Sequence, residues 1–358
     1  KLGAVTIATN MAGRGTDIKL DEEARAAANA FITKEYGEKY FKLIKTTTDL
    51  SYCDPGVKDT MGVYYKYTVK AISGSYLSEC EDGLVLQRNF APKITSATNT
   101  SGGIVIKWNK LGNATEYKVY RRGAGANAWT YLGTTKNLQY FDSRVAGASG
   151  NYYRYTVQAV FGKTAGSFNT NGVVILRLAA PEITRVKNAA LGVQVEFEAV
   201  KGAQGYYVYR KTANTSWICV GNAKKSPYVD TATVDGVSYI YTVRAYNTNY
   251  MSDYNRQGVK MTFIKAPVLY TPTKVSNGVQ ICWDVHPKAD TYYIGRRTAD
   301  GRWSDLKTIK ASDIKKNSKG QAYFIDTTAR KGTTYYYSVI ASVNKVQSGY
   351  YDNYSIKY

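Results

Sequence analysis

Gly13, Arg14, Gly15, Thr16 and Asp17 are the stretch of this chain whose residue types and order best suit phosphate chemistry. Closely spaced glycines let backbone N–H groups approach an anion, and an arginine and a carboxylate lie beside them. The loop follows a short apolar run, Val5-Thr6-Ile7-Ala8, of the sort buried in a parallel sheet, and precedes Asp21–Ala27, which favours helix. Strand, glycine loop and helix are the general form of a nucleotide site in α/β proteins. Other candidates for chemistry are sparse. His286, the single histidine, stands in DVHPKAD beside Pro287 and reads as an exposed loop residue with no second ligand nearby, so no metal site is expected. Asp142, Asp230 and Asp326 recur at strand ends, where a turn-stabilising carboxylate is expected in preference to a calcium ligand. No GxSxG element, Cys/His pair or glutamate pair suggests catalysis, and no cofactor is expected.

A different surface follows from strand alternation. If Tyr117, Val119, Tyr153 and Tyr155 point inward, then Lys118, Tyr120, Tyr152 and Arg154 point outward on one sheet. The corresponding outward residues farther along are Tyr207 and Tyr209, then Tyr293 and Tyr336. Exposed tyrosine and basic side chains can stack on sugar rings or contact a protein partner. The alternative is that cross-strand Tyr–Tyr and Tyr–Arg pairs stabilise a solvated sheet.

The elements that would carry this face repeat. VYYKYTV (63–69), NYYRYTV (151–157), VSYIYTV (237–243) and TYYYSVI (334–340) recur at intervals of about 90 residues, a period that suits small all-β domains. Upstream of the last three copies come Ile104, Ile106 and Trp108; Val193, Val195 and Phe197; Val279, Ile281 and Trp283. Period two with one large aromatic marks a strand facing a core on one side. Next come Tyr117 and Val119, Tyr206 and Val208, Tyr292 and Ile294; then a third aromatic at Trp129, Trp217 and Trp303; then YFD, YVD or FID. The first copy lacks its front half. KYFKLIKTTTDLSYCD (39–54) aligns with AWTYLGTTKNLQYFD (128–142), but no counterpart of the first two strands precedes residue 31. Half a sandwich buries too little apolar surface to be normally stable, so poor order or improvised pairing is expected there.

These units resemble fibronectin type III domains. Trp108 and Trp283, the third-strand Tyr-x-Val and the sixth-strand Tyr-x-Tyr-x-Val carry the resemblance. It implies an all-β chain of tandem seven-stranded antiparallel β-sandwiches (fibronectin type III or immunoglobulin-like), with a short α/β-type N-terminal fragment. It further implies a tyrosine corner at Tyr65, Tyr153, Tyr239 and Tyr335. Val5–Leu20 resembles the SecA family of bacterial preprotein translocase motors, in its second helicase-type nucleotide-binding domain, which implies that Gly13–Asp17 corresponds to a loop at the ATP cleft. That resemblance spans about 25 residues. The phosphate-cradling GxxxxGK[ST] loop, an acidic metal-binding strand end and the family's arginine-rich continuation after Ala27 are absent from the sequence. The expected division is 1–27 (SecA-like fragment), 28–90 (truncated unit), and complete units at 91–178, 179–264 and 265–358.

The net charge of +21 falls on the β units, since basic and acidic residues balance in 1–27. Such a surface attracts polyanions, although dispersed Lys and Arg also serve solubility. Cys53 and Cys80 share the first unit, while Cys219 and Cys282 fall in different ones; unpaired thiols are expected. No run reaches the ~18 apolar residues of a membrane helix, so no membrane insertion is expected. The expectation is a non-catalytic, monomeric, extracellular or cell-surface array, acting as spacer and adhesion module toward cell-wall polymer, glycan or a host protein. Two alternatives remain: an ATP-dependent translocation motor fragment, cytoplasmic if the SecA-like segment defines the protein, and a basic nucleic-acid binder.

Overall fold

The computed structural model describes residues 43–57, 64–73, 76–79, 83–87 and 90–358. The Gly13–Asp17 loop and Cys80 lie outside the described residues. By backbone proximity the chain divides into two compact units, Lys1–Thr98 with Gly102–Arg177, and Asn99–Ser101 with Leu178–Tyr358.

In the first unit, β1 (Tyr64–Tyr67) pairs antiparallel with β4 (Leu84–Gln87), and β2 (Ile72–Ser73) pairs with β3 (Tyr76–Leu77). Val57, Tyr65, Tyr67 and Val85 are buried, but Leu43, Leu50, Ile72, Tyr76 and Leu84 stand exposed. Among the described residues these strands form two two-stranded ribbons, and the side chains just named stand uncovered.

A full sandwich follows, in this unit except for the Asn99–Thr100 end of its first strand. β5 (Ile94–Thr100), β6 (Gly103–Trp108) and β9 (Gln139–Asp142) form the small sheet. β7 (Glu116–Gly123), β8 (Thr130–Thr135), β10 (Tyr152–Phe161), β11 (Thr164–Phe168) and β12 (Val173–Leu176) form the large one, in the order β11-β10-β7-β8 with β12 also on β10. The closing strand is thus split, with β11 on one end of β10 and β12 on the other.

The second unit repeats this plan twice. Its first sandwich packs β13 (Ile183–Ala189), β14 (Gly192–Phe197) and β17 (Tyr228–Asp230) against β15 (Gly205–Lys211), β16 (Ile218–Ala223), β18 (Ser238–Asn247), β19 (Tyr250–Met251) and β20 (Val259–Thr262). Its second packs β21 (Thr273–Val275), β22 (Gly278–Trp283), β25 (Lys315–Lys316) and β26 (Ala322–Asp326) against β23 (Thr291–Thr298), β24 (Ser304–Lys310), β27 (Thr334–Val343), β28 (Val346–Gln347) and β29 (Tyr354–Lys357). Seven shared strand positions, the last interrupted, make each an antiparallel sandwich of the fibronectin type III plan, and the third adds β25 beside β26. The inward faces match the alternation: Ile104, Ile106 and Trp108, Val193, Val195 and Phe197, and Val279, Ile281 and Trp283 are all buried.

Tyrosine hydroxyls close loops onto the core, at Tyr117 in the first complete sandwich and at two positions in each of the other two. The phenol before each third-strand valine accepts a backbone N–H six residues upstream: Leu111 to Tyr117 at 3.1 Å, Val200 to Tyr206 at 2.8 Å, His286 to Tyr292 at 2.8 Å. The expected corner forms at Tyr239, whose hydroxyl accepts from Val234 N–H at 3.0 Å, and at Tyr335, which accepts from Arg330 N–H at 3.2 Å. Tyr153 differs. Ala148, five residues upstream, donates instead to the Val145 carbonyl at 3.1 Å, within the turn that follows the Ser143–Val145 3-10 segment.

Tyr239→Phe and Tyr335→Phe should therefore each cost their sandwich about 1 kcal/mol in urea unfolding, whereas Tyr153→Phe costs much less. Equal losses at all three positions would contradict this reading of the corners.

Candidate functional site

The recurring aspartates are buried polar groups in all three sandwiches. Asp142 Oδ2 accepts from Arg121 Nη1 at 2.8 Å and Tyr155 OH at 2.7 Å. Asp230 Oδ2 accepts from Arg210 Nη1 at 2.7 Å and Tyr241 OH at 2.9 Å. Asp326 Oδ2 accepts from Arg296 Nη1 at 2.7 Å and Tyr337 OH at 2.8 Å. The other carboxylate oxygen accepts the turn N–H groups of Arg144, Ala232 and Thr328. Each guanidinium also lies over a tyrosine ring, at 5.3 Å for Arg121 and Tyr153, 4.6 Å for Arg210 and Tyr239, and 4.8 Å for Arg296 and Tyr335. The turn-stabilising role expected from sequence accounts for one oxygen of each carboxylate. The other joins a small-sheet strand to two large-sheet strands, so the carboxylate is held as a structural latch.

Burial, reinforced by the adjacent carboxylate, pushes the phenols of Tyr155, Tyr241 and Tyr337 far above the ordinary range and keeps them protonated donors. For Asp326 burial alone would raise the carboxyl, but hydrogen bonds from Thr328, Tyr337 and Arg296 outweigh it and hold the group below the usual carboxylate value. Among the described residues no group of three His, Cys, Asp or Glu side chains is placed to hold a metal ion.

His286 overturns its reading as an exposed loop residue. It is buried, and its Nε2 lies 3.1 Å from Asp235 Oδ1 in the neighbouring sandwich of the same unit. Nδ1 accepts the Lys288 N–H at 3.2 Å, so in the neutral ring the proton sits on Nε2 and is donated to Asp235. Asp235 also accepts the Lys265 N–H at 2.8 Å. Asn188 supports the same joint, donating Nδ2 to the carbonyls of Gln347 at 2.8 Å and Thr262 at 3.1 Å. Gly349 lies so close to the Ala189 backbone that a Cβ there would overlap it. The proline beside His286 made the loop look solvated; the packing partner is distant in sequence and left no local signal.

The outward face holds the other candidate residues. Tyr120 stacks on Phe168 at 5.6 Å, meets Tyr131 at 5.6 Å and donates to Gln158 Oε1 at 3.1 Å. Tyr207 stacks on Tyr246 at 4.5 Å, and Tyr336 lies beneath the Arg297 guanidinium at 4.1 Å. Arg154 donates Nη1 to the Asn171 carbonyl. Lys118, Tyr209 and Tyr293 are half-buried, and Tyr152 is exposed. Burial, with Cys219 adding, pushes the Tyr209 phenol up.

A more regular arrangement joins this face and was not assigned a role from sequence. Arg122 lies over Trp129 at 4.9 Å, Lys211 over Trp217 at 4.9 Å and Arg297 over Trp303 at 5.3 Å. Each tryptophan also meets an aromatic edge, Phe168 at 6.3 Å, Tyr254 at 6.2 Å and Tyr350 at 5.6 Å. The three cations all stand five residues after the buried third-strand tyrosine, a spacing visible in the sequence once the three units are aligned. A register shift recurs at Val119/Tyr120, Val208/Tyr209 and Ile294/Gly295 and re-aims the side chains that follow it. In the first two sandwiches the indole also covers a left-handed glycine, Gly172 (φ +58°) or Gly258 (φ +65°), where a Cβ would come within 2.9 Å of the ring. The three tryptophan rings are thus engaged by neighbouring cations and aromatics, while Tyr131 and Tyr152 remain exposed beside the basic side chains.

Residues 1–70 match the SecA P-loop domain. Protein translocase subunit SecA of Chlamydia trachomatis serovar L2 is 75% identical over 32 residues, 9% of this chain and 3% of that protein. SecA of Chlamydia felis is 96% identical over 24 residues, 7% of this chain and 2% of that protein. The chain therefore spans about 3% of the length of the curated relatives it matches. Among solved structures, the chicken CNTN1 FN1–FN3 domains align at 14% identity over 74% of this chain and 95% of that one, with a TM-score of 0.25. The chicken interferon gamma receptor alpha chain aligns at 12% identity over 50% and 97%, with a TM-score of 0.29. The fold itself is read from the strand order and registers described above.

The depressed Asp326 value fixes the sign of an acid effect. Its contribution is complete above the unfolded carboxylate value of about 4 and is lost as pH falls through the lower folded value. Hydrogen exchange across residues 273–357 should show protection falling below about pH 4, and Asp326→Ala should lose about 3 kcal/mol at neutral pH. Unchanged protection in the variant would remove the latch from the account.

Proposed function

We propose that this chain is a non-catalytic array of sandwich domains that acts as a spacer and binding module at the cell surface or outside the cell. Its parts would be a SecA-like segment (1–27), a truncated unit (28–90) and complete units at 91–178, 179–264 and 265–358. The observation that carries this reading is how the candidate side chains are used. The recurring aspartates and the single histidine are engaged in structural hydrogen bonds, while the same cation–tryptophan–aromatic arrangement recurs outward on three large sheets. Repetition of one weak surface on a single chain suits multivalent attachment to a polymeric target. The net charge of +21 favours a target that is acidic, such as a wall polymer.

The second reading, a translocation motor fragment, draws on the match over residues 1–70. Against it stands the extent of the match within this chain, 75% identity over 32 residues, 9% of its length.

Purified full chain should co-sediment with Gram-positive wall sacculi and show no micromolar ATP binding by titration calorimetry. A chain that stays in the supernatant while binding ATP would reverse the order of the two readings.

A further inference from the structure

We propose that the outer faces of the large sheets bind a linear phosphodiester polymer without aromatic bases, such as a poly(glycerol phosphate), through charge and not through ring stacking. This rests on the binding role above and names its ligand class.

Charge complementarity comes first. In the first complete sandwich the large-sheet strands present Lys118, Arg122 and Arg154 outward, with Glu116 as the only carboxylate on those strands. In the middle one they present Lys211, Arg244 and Lys260, and the five strands hold no acidic residue. In the last they present Arg297 and Lys357, with Asp305 as the only acidic residue on those strands. Arg121, Arg210 and Arg296, which sit on the same strands, are spent on buried aspartates. Among the outward cations, Arg154, Arg244 and Arg297 donate to backbone carbonyls, bonds that leave their positive charge uncompensated for an external anion.

The aromatic geometry then selects among anions and sugars. A sugar ring or a nucleic-acid base gains from lying flat on an uncovered aromatic face, a base by about 1–3 kcal/mol. Here the Trp129, Trp217 and Trp303 rings each lie under a cation and against another aromatic ring. Tyr120 and Tyr207 are likewise stacked on neighbours. The rings hold the long basic side chains in place, which lowers the entropy lost when the cations meet a phosphate. A flexible polyanion with no bases uses what this surface offers and misses nothing that it lacks.

The test measures retention of the full chain on immobilised poly(glycerol phosphate) across a salt series. Arms with neutral dextran, single-stranded DNA, and sacculi before and after chemical removal of their anionic polymers run in parallel. Arg122→Gln/Lys211→Gln/Arg297→Gln should lower affinity about tenfold at low salt and flatten the salt slope by about two. Arg122→Lys/Arg297→Lys should keep both. Lys260→Gln/Lys357→Gln, at exposed positions, gives a smaller loss of the same sign if the triple variant does not fold. Unchanged retention in the neutralised variants, equal retention on dextran, or DNA held as tightly as the polymer would overturn the proposal. Binding to stripped and intact sacculi alike would overturn it while leaving the adhesive role standing; polymer binding without sacculus binding would do the reverse.

Discussion

A buried carboxylate that ties two sheets together is the constraint on which each complete sandwich depends. Asp142, Asp230 and Asp326 sit at the ends of small-sheet strands, and their arginine and tyrosine partners come from the two central strands of the large sheet. A carboxylate placed this deep is costly unless its lone pairs are filled, and here Arg, Tyr and backbone N–H donors fill them. The same bonds oppose register slippage. A shift of one residue in β18, for example, would turn Tyr241 away from Asp230 and Tyr239 away from its corner. Tyrosine is needed at these positions because it delivers a large apolar ring to the core and a donor to the carboxylate at once. The same demand contributes to a composition of 34 tyrosines against 9 phenylalanines.

How much was legible in the sequence follows from whether the signal was local. The alternation of Val193, Val195 and Phe197 and its counterparts identified core strands directly, since period two is a property of one strand. Tyr239 and Tyr335 form their corners because the partner lies five residues away. Tyr153 occupies the same place in the motif, but the Ser143–Val145 turn redirects the amide it would have bound. The second oxygen of each aspartate was not legible, because its partners lie on other strands and only the assembled sandwich brings them together. His286 was misread for the same reason, its partner Asp235 being in another sandwich. Which of the tyrosine rings pair with which was not legible, because that depended on the recurrent register shift and the split closing strand.

The outer face and the latch complement one another. Arginines four residues after the third-strand tyrosine turn to the buried carboxylate, and the basic residues one position later turn outward onto tryptophan. Neighbouring cations thus divide between holding the sheets together and charging the surface. The SecA-like segment lies outside the described residues. It shares sequence with a motor over a small fraction of that protein's length, whereas the sandwiches are built from residues that repeat among themselves.

The latch is tested most directly by a double-mutant cycle across the two sheets, comparing Asp230→Asn, Tyr241→Phe and the pair by urea unfolding. A shared buried hydrogen bond predicts coupling of about 1–2 kcal/mol, with the double variant less destabilised than the sum of the singles. Strict additivity would contradict the claim that this carboxylate joins the sheets.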